Sequence, residues 1–372
     1  HASIACFDAP VVTFWFATVY CHWRALDARA WSWWLAIAFG CALATKHNAL
    51  LLPFALAPHY LWVAWRRADR ALANPGVVGW LRHLVRAAWS LRPSIILALA
   101  LGGPLVLFVL WPWLWIDPIG HVTDWLSFHL NHVHYNFEYL GDNWNAPRFP
   151  WHVPLVTTLV TLPVVTLAAG LAGAGLWCVR ARRGRTPDRG RAPGLLLALS
   201  AAAAIGPFFL GSTPIFGAEK HWAAIVPSLA IAAGAFVAWA ATLTVGAIAR
   251  AGERAQPMAA ATSAGWLSRA VHAGLVAVMV AAAWCATWAP QPYGLSSYNA
   301  LAGGPAGGAD LGMNRQFWGS AALGVVPVAK FLADAGVVAG PVYSHDAQPG
   351  WGMYVKQRRL PSSMRDSGGE WA

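Results

Sequence analysis

The chain has 372 residues, of which 58% are hydrophobic and only 11% charged, with 24 tryptophans and a mean hydropathy of +0.47. So few charges cannot coat one large soluble globule, and the composition predicts a polytopic membrane protein. The formal net charge of +11 does not point to nucleic acid, because the basic residues gather in short loops between apolar runs, where they orient the spans.

The chain opens on His1 with an apolar pattern already under way by Pro10, so an upstream portion carrying any signal or first span is expected. A bilayer core takes about 20 apolar residues per helix, and about eight stretches approach that length. They lie near 9–23, 30–45, 48–65, 93–115, 152–179, 193–211, 222–247 and 270–289. The second and third are separated by little more than Thr45-Lys46-His47-Asn48, and Pro53 and Pro58 interrupt the third, so the pair reads as a tight or partly broken hairpin.

Arginine sets the orientation. Loops 24–29, 66–92, 180–192 and 248–269 carry Arg24, Arg29, Arg66, Arg67, Arg70, Arg82, Arg86, Arg92, the six arginines from Arg180 to Arg191, and Arg250, Arg254 and Arg269. These loops are predicted to be cytoplasmic, and the alternate connections, which carry only Lys46, Arg148 and Lys220, to be external. Both ends of the chain then lie outside.

Two external regions are long enough to hold structure. Residues 117–151 are rich in aromatics and histidine, as expected of a segment with amphipathic helical character lying along the interface. From Pro290 the chain turns polar and Gly-rich, with a helix expected near 321–335 and short strands at Val337-Val338 and Val342-Tyr343. The fold class is therefore an all-α polytopic membrane bundle over 1–289, with a small C-terminal α/β external domain over 290–372. Cys6, Cys21, Cys41, Cys178 and Cys285 show no CxxC spacing and read as small core residues.

Lys46-His47 and Lys220-His221 stand at ends of apolar runs on the external side, against the usual charge bias. An anion at the interface explains them, since lysine offers a point charge and histidine a donor that suits phosphate. The competing reading is that they snorkel to water, or that Glu219 is the ion-pair partner of Lys220. Asp8, just before the first span, could cap the helix, orient an acceptor or base, or hold a metal. His129, His132 and His134 form H-x-x-H-x-H, a weak candidate set for a divalent cation against the commoner fate of interfacial aromatic packing. Asp117, Asp124, Glu138 and Asp142 are further external carboxylates. The stretch Gly303–Gly308 is no phosphate loop, lacking Gly-Lys-Ser/Thr, and is expected to be a flexible turn, with Asn314 and Arg315 nearby as sugar or acceptor contacts.

Four pieces resemble a known group in order and position. They are Ala5-Cys6-Phe7-Asp8-Ala9-Pro10, Ala44-Thr45-Lys46-His47-Asn48 through Pro53, Lys220-His221-Trp222 leading into Val226-Pro227, and Pro292 to Pro305 after the last span. Together they resemble the GT-C glycosyltransferases of the protein mannosyltransferase and aminoarabinose-transferase type. The resemblance implies a GT-C helical bundle that transfers a sugar, with inversion, from a polyprenyl-phosphate donor to a protein, lipid or glycan acceptor outside the membrane. It implies Asp8 as a catalytic acidic residue, with a second one in a loop that would precede His1, and Lys46, His47, Lys220 and His221 as the lipid-phosphate site. Tyr135 and Glu138 join Asn314 and Arg315 as acceptor or sugar contacts. No cofactor is certain, and a divalent metal ion stays open. An alanine- and arginine-rich composition suggests a bacterial cytoplasmic membrane. The alternatives are a transporter or lipid-carrier flippase, whose intramembrane charges would mark a path, and a scaffold presenting the external domain.

Overall fold

A computed structural model describes residues 7–67, 76–132, 134, 136–146, 148–183, 190–215, 217–255, 257–291, 294, 297–314, 327, 330–331, 334–336, 340–342, 355–358 and 364–366. The chain is mostly helical. In order come α1 (Asp8–Ala25), α2 (Trp31–Thr45), α3 (Leu52–Arg67), α4 (Val77–Leu91), α5 (Pro93–Leu97), α6 (Gly103–Leu110) and α7 (Pro118–Leu130). A hairpin of β1 (Phe137–Tyr139) and β2 (Asp142–Trp144) follows, antiparallel with Glu138 opposite Asn143. Then come α8 (Val153–Thr161), α9 (Val164–Arg182), α10 (Pro193–Ile205), α11 (Val226–Ala255), α12 (Pro257–Trp288) and α13 (Gly304–Asp310).

Five helices among the described residues are long and apolar enough to cross a membrane: Pro93–Leu110, Val164–Arg182, Pro193–Leu210, Ala223–Arg250 and Trp266–Trp288. α2 is a shorter apolar helix, and α1 and α3, counted as spans from the sequence, have 18 and 16 residues and fall outside this set. The span expected over 152–179 is broken in two. Pro163 has no N–H to continue the ladder and forces Leu162 into extended backbone, so α8 ends and α9 restarts. Between α5 and α6 the helix widens to a π turn over Ala98–Gly102, where Pro104 also lacks a donor.

Small residues set the helix packing. A Cβ at Gly103 would strike the Phe39 ring and one at Gly40 the Val106 side chain, so α2 and α6 approach closely. Gly170 and Gly173 do the same for α9 against the backbone of α11. Trp15, Val19, Phe39, Leu52, Phe137, Phe149, Phe208, Trp222 and Tyr298 belong to one buried core that joins the bundle to the β1–β2 hairpin.

The basic loops meet at one end. Asp27 accepts from Arg191 at 2.8 Å and from Arg67 at 3.4 Å, and its carbonyl accepts from Arg92 at 2.7 Å. Loops 24–29, 66–92 and 180–192 therefore share a face, as their charge pattern requires. Beneath them sits a histidine pair that the sequence reading did not single out. The Nε2 of His59 lies 2.8 Å from the Arg191 carbonyl, which can only accept, so His59 donates there and its Nδ1 accepts from His22 Nε2 at 3.0 Å.

One expectation for the C-terminal region changes. Gly303–Gly308 is not a loop: Gly303 takes a left-handed φ of +79° and Pro305 opens the short helix α13. The observed strands are β3 (Gly340–Val342) and β4 (Met364–Asp366), paired in parallel; Val342 is in β3, while Val337, Val338 and Tyr343 lie outside the described residues. Residues 297–314 pack onto the bundle. Asn299 is the fastener: its N–H donates to Val160 and its amide to Leu159 and Leu162, all at 2.7 Å, taking up carbonyls that the break at Pro163 leaves open. The cysteines divide, with Cys21 buried, Cys41 intermediate, and Cys178 and Cys285 exposed rather than in the core.

Candidate active site

Three segments far apart in sequence converge at the arginine-poor end. They are the start of α1, the turn between α2 and α3, and the 3-10 turn Ala218–His221 before α11. Asp8 is not the cap of α1, since Phe7 holds that position and Asp8 is the first helical residue. Its carboxylate instead accepts from Lys46 Nζ at 2.7 Å, with the side chains 9% and 14% exposed. Lys46 is thus neither loose in water nor snorkelling. The two are held as a largely buried pair.

The turn carrying Lys46 is fixed to the turn carrying Lys220. Asn48 Nδ2 donates to the His221 carbonyl at 2.8 Å, a bond across 173 positions. Lys220 and His221 are each 8% exposed, and the Phe208 ring packs 5.6 Å from the His221 ring. Trp222, wholly buried, donates through Nε1 to Thr158 Oγ1 at 2.8 Å and so ties this turn to α8. Burial first, then the Lys46 and Lys220 ammoniums, hold the His221 pKa well below its usual value, with Asp8 opposing them. Lys46, Lys220, His221, Asp8 and His47 thus form one electrostatic group.

His47 is pushed down to about 3, by burial first, then by His129, Lys46 and His132. Both imidazoles are therefore neutral at physiological pH, and each can donate one hydrogen bond without adding charge. The sign for stability follows. The unfolded His47 takes up a proton near pH 6.5 and the folded one does not until about 3, so stability is lost as pH falls through that window. Thermal unfolding of the full-length protein between pH 7 and 4 should show a steeper fall for wild type than for His47→Gln. Equal slopes would remove His47 from the linkage.

Two glycine and alanine features shape the Lys220 turn, and the sequence reading passed over both. A methyl group at Gly217 would overlap the Cδ, Cε and Nζ of Lys220, so the lysine side chain lies folded across that glycine. Ala218 takes a left-handed φ of +46°, a conformation that costs a non-glycine residue about 1–2 kcal/mol. Only packing around the turn sustains it.

The other sequence candidates divide. His129 stacks on His47 with ring centroids 3.7 Å apart, and meets Trp125 edge-on. His132 packs on Phe128 and His134 near Phe149. Among the described residues no group of three His, Cys, Asp or Glu has an arrangement that could hold a metal ion. The H-x-x-H-x-H pattern is instead three imidazoles distributed to three aromatic neighbours. Glu138 stands in β1 and Glu219 beside Lys220, and the charge of both raises the Tyr298 pKa beyond what burial alone does. The Tyr298 hydroxyl donates to the Asn314 carbonyl, so Asn314 has a packing role through its backbone. Tyr135 and Arg315 lie outside the described residues.

A helical membrane bundle with a buried lysine, histidine and carboxylate cluster at one end is the class of protein that this geometry defines. Residues 2–89 match the family model described as dolichyl-phosphate-mannose-protein mannosyltransferase. The matched stretch contains Asp8, Lys46 and His47, and it supports a membrane glycosyltransferase of the GT-C superfamily. No curated protein and no solved structure matches the chain.

Proposed function

We propose that the protein transfers a sugar from a polyprenyl-phosphate donor to an acceptor at the arginine-poor end of the bundle, on the extracytoplasmic side. The observation that carries this reading is the convergence of Lys46 and Lys220 on the buried His221 beside Asp8. Two ammoniums and two neutral imidazoles gathered at one membrane interface are the donor set that suits a lipid phosphate, which lies at that depth.

In the reaction, the bond between the sugar's anomeric carbon and the phosphate oxygen breaks, and its electron pair leaves with the phosphate. Lys220 and Lys46 neutralise the charge that grows there, and the neutral His221 and His47 donate to phosphate oxygens. The acceptor oxygen forms the new bond from the opposite face of the sugar. Its proton passes to a carboxylate, for which Asp8 is the candidate in this chain. The resemblance leaves a divalent ion open as a further aid.

The test is a reconstitution of the full-length protein with a radiolabelled polyprenyl-phosphate sugar and a hydroxyl acceptor. Release of polyprenyl phosphate with stoichiometric labelling of the acceptor is expected. Movement of the intact donor across the bilayer without bond cleavage would replace this reading with the flippase.

A further inference from the structure

We propose that α4 is an interfacial helix that binds anionic phospholipid, with Val78, Leu81, Val85 and Trp89 set into the acyl boundary and Arg82 and Arg86 reaching the headgroups.

The sequence alone places Arg82 and Arg86 in a loop between spans. The structure places them on a helix of 15 residues whose two faces differ. Ala87 and Ala88 are its buried residues and mark the side packed on the bundle. Next to that side, Val78, Leu81, Val85 and Trp89 fall at steps of three and four, which puts them in one stripe. All four are uncovered, at 62%, 48%, 56% and 54% exposed. Arg82, four residues after Val78, and Arg86, three before Trp89, are exposed and border this stripe on the side away from the buried alanines. An uncovered apolar stripe bordered by arginine is the pattern of a helix lying in the plane of a membrane surface.

Its attachment fixes the depth. Tyr60 donates through its hydroxyl to the Ala88 carbonyl at 2.6 Å and accepts from the Arg92 N–H at 3.0 Å, pinning the end of α4 to α3. Arg92 alone separates α4 from the apolar span Pro93–Leu110. The last turn of α4 therefore stands where that span leaves the hydrocarbon. That span itself leaves Leu97, Leu101 and Leu105 uncovered.

Charge decides the occupant. This end of the bundle carries Arg24, Arg29, Arg66, Arg67, Arg92 and Arg191 besides the two on α4. The nearby carboxylate of Asp27 is already bonded to Arg67 and Arg191. A second copy of the chain docking through α4 would bring the same arginines against these. Anionic headgroups bring the opposite sign, and each arginine near such a surface adds about a fivefold gain in binding.

The test uses amide hydrogen exchange over residues 77–91 of the full-length protein, in nanodiscs of phosphatidylcholine alone and of phosphatidylcholine mixed with phosphatidylglycerol. Slower exchange with phosphatidylglycerol is expected for wild type, and loss of most of that difference for the double variant Arg82→Gln, Arg86→Gln. Leu81→Asp should speed exchange in both lipids. No lipid dependence in wild type, or the same dependence in the double variant, would overturn the proposal. None of these readouts requires sugar transfer, so the proposal stands or falls apart from the glycosyltransferase reading.

Discussion

Lys220→Ala should lower the turnover of a polyprenyl-phosphate sugar by about 100-fold or more, with a smaller change in KM. A cation fixed beside the departing phosphate does most when the bond is breaking, because charge concentrates on the leaving oxygens only then. Removing one such preorganised group costs about 10²–10³ in rate in comparable sites. Lys220 is 8% exposed, so water does not screen it, and its charge already reaches His221. Lys46→Ala should have a different signature. It leaves the Asp8 carboxylate, 9% exposed, without its 2.7 Å partner, so the loss of rate should come with a lower melting temperature. Lys220→Arg should recover part of the rate through charge alone. Wild-type turnover in Lys220→Ala would remove the phosphate role.

Five of the eight expected spans were legible because hydropathy reports a solvent, and lipid acts on every residue of a long apolar run. The same averaging hid the break at Leu162-Pro163, since proline and threonine there do not lower the window enough to end it. Of the basic segments read as loops, 24–29 lies mostly between helices, but 248–269 is taken up by the end of α11 and the start of α12, because alanine-rich sequence carries the helices past the apolar window. α4 was not legible, because its arginines were weighed for their number and not for the three-and-four spacing of Val78, Leu81, Val85 and Trp89. Gly303–Gly308 failed for a related reason: glycine content suggests a turn, yet Pro305 at the first turn and the left-handed Gly303 before it are helix-start signals.

At the candidate site, residue types were readable and partnerships were not. Lysine and histidine at an apolar run's end suggest an anion by residue type alone. The bond from Lys46 to Asp8 crosses 38 positions and that from Asn48 to His221 crosses 173, so each depends on the packing of helices. Asn48 stood in the motif Thr45-Lys46-His47-Asn48 without a role. Its amide, which can donate twice, is the kind of group that joins two turns whose backbone carbonyls lack helical partners.

Gly217→Ala should reduce turnover about 10- to 100-fold through Lys220 while the protein keeps its fold. The backbone does not call for a left-handed glycine at this position, since Gly217 has φ of −144°. What the position requires is the absence of a side chain, because the Lys220 stem crosses it and a methyl would occupy the space of Cδ, Cε and Nζ. The far end of a lysine can swing away at little cost in stability. It then carries its ammonium off the point where it acts on His221. A double-mutant cycle separates this from a general disturbance of the turn, in which Ala218 is already strained at φ of +46°. In the Lys220→Ala background the Gly217→Ala change should cost almost nothing further, since there is no lysine left to displace. An equal loss in both backgrounds would mean that Gly217 acts without Lys220, and the positioning argument would fail.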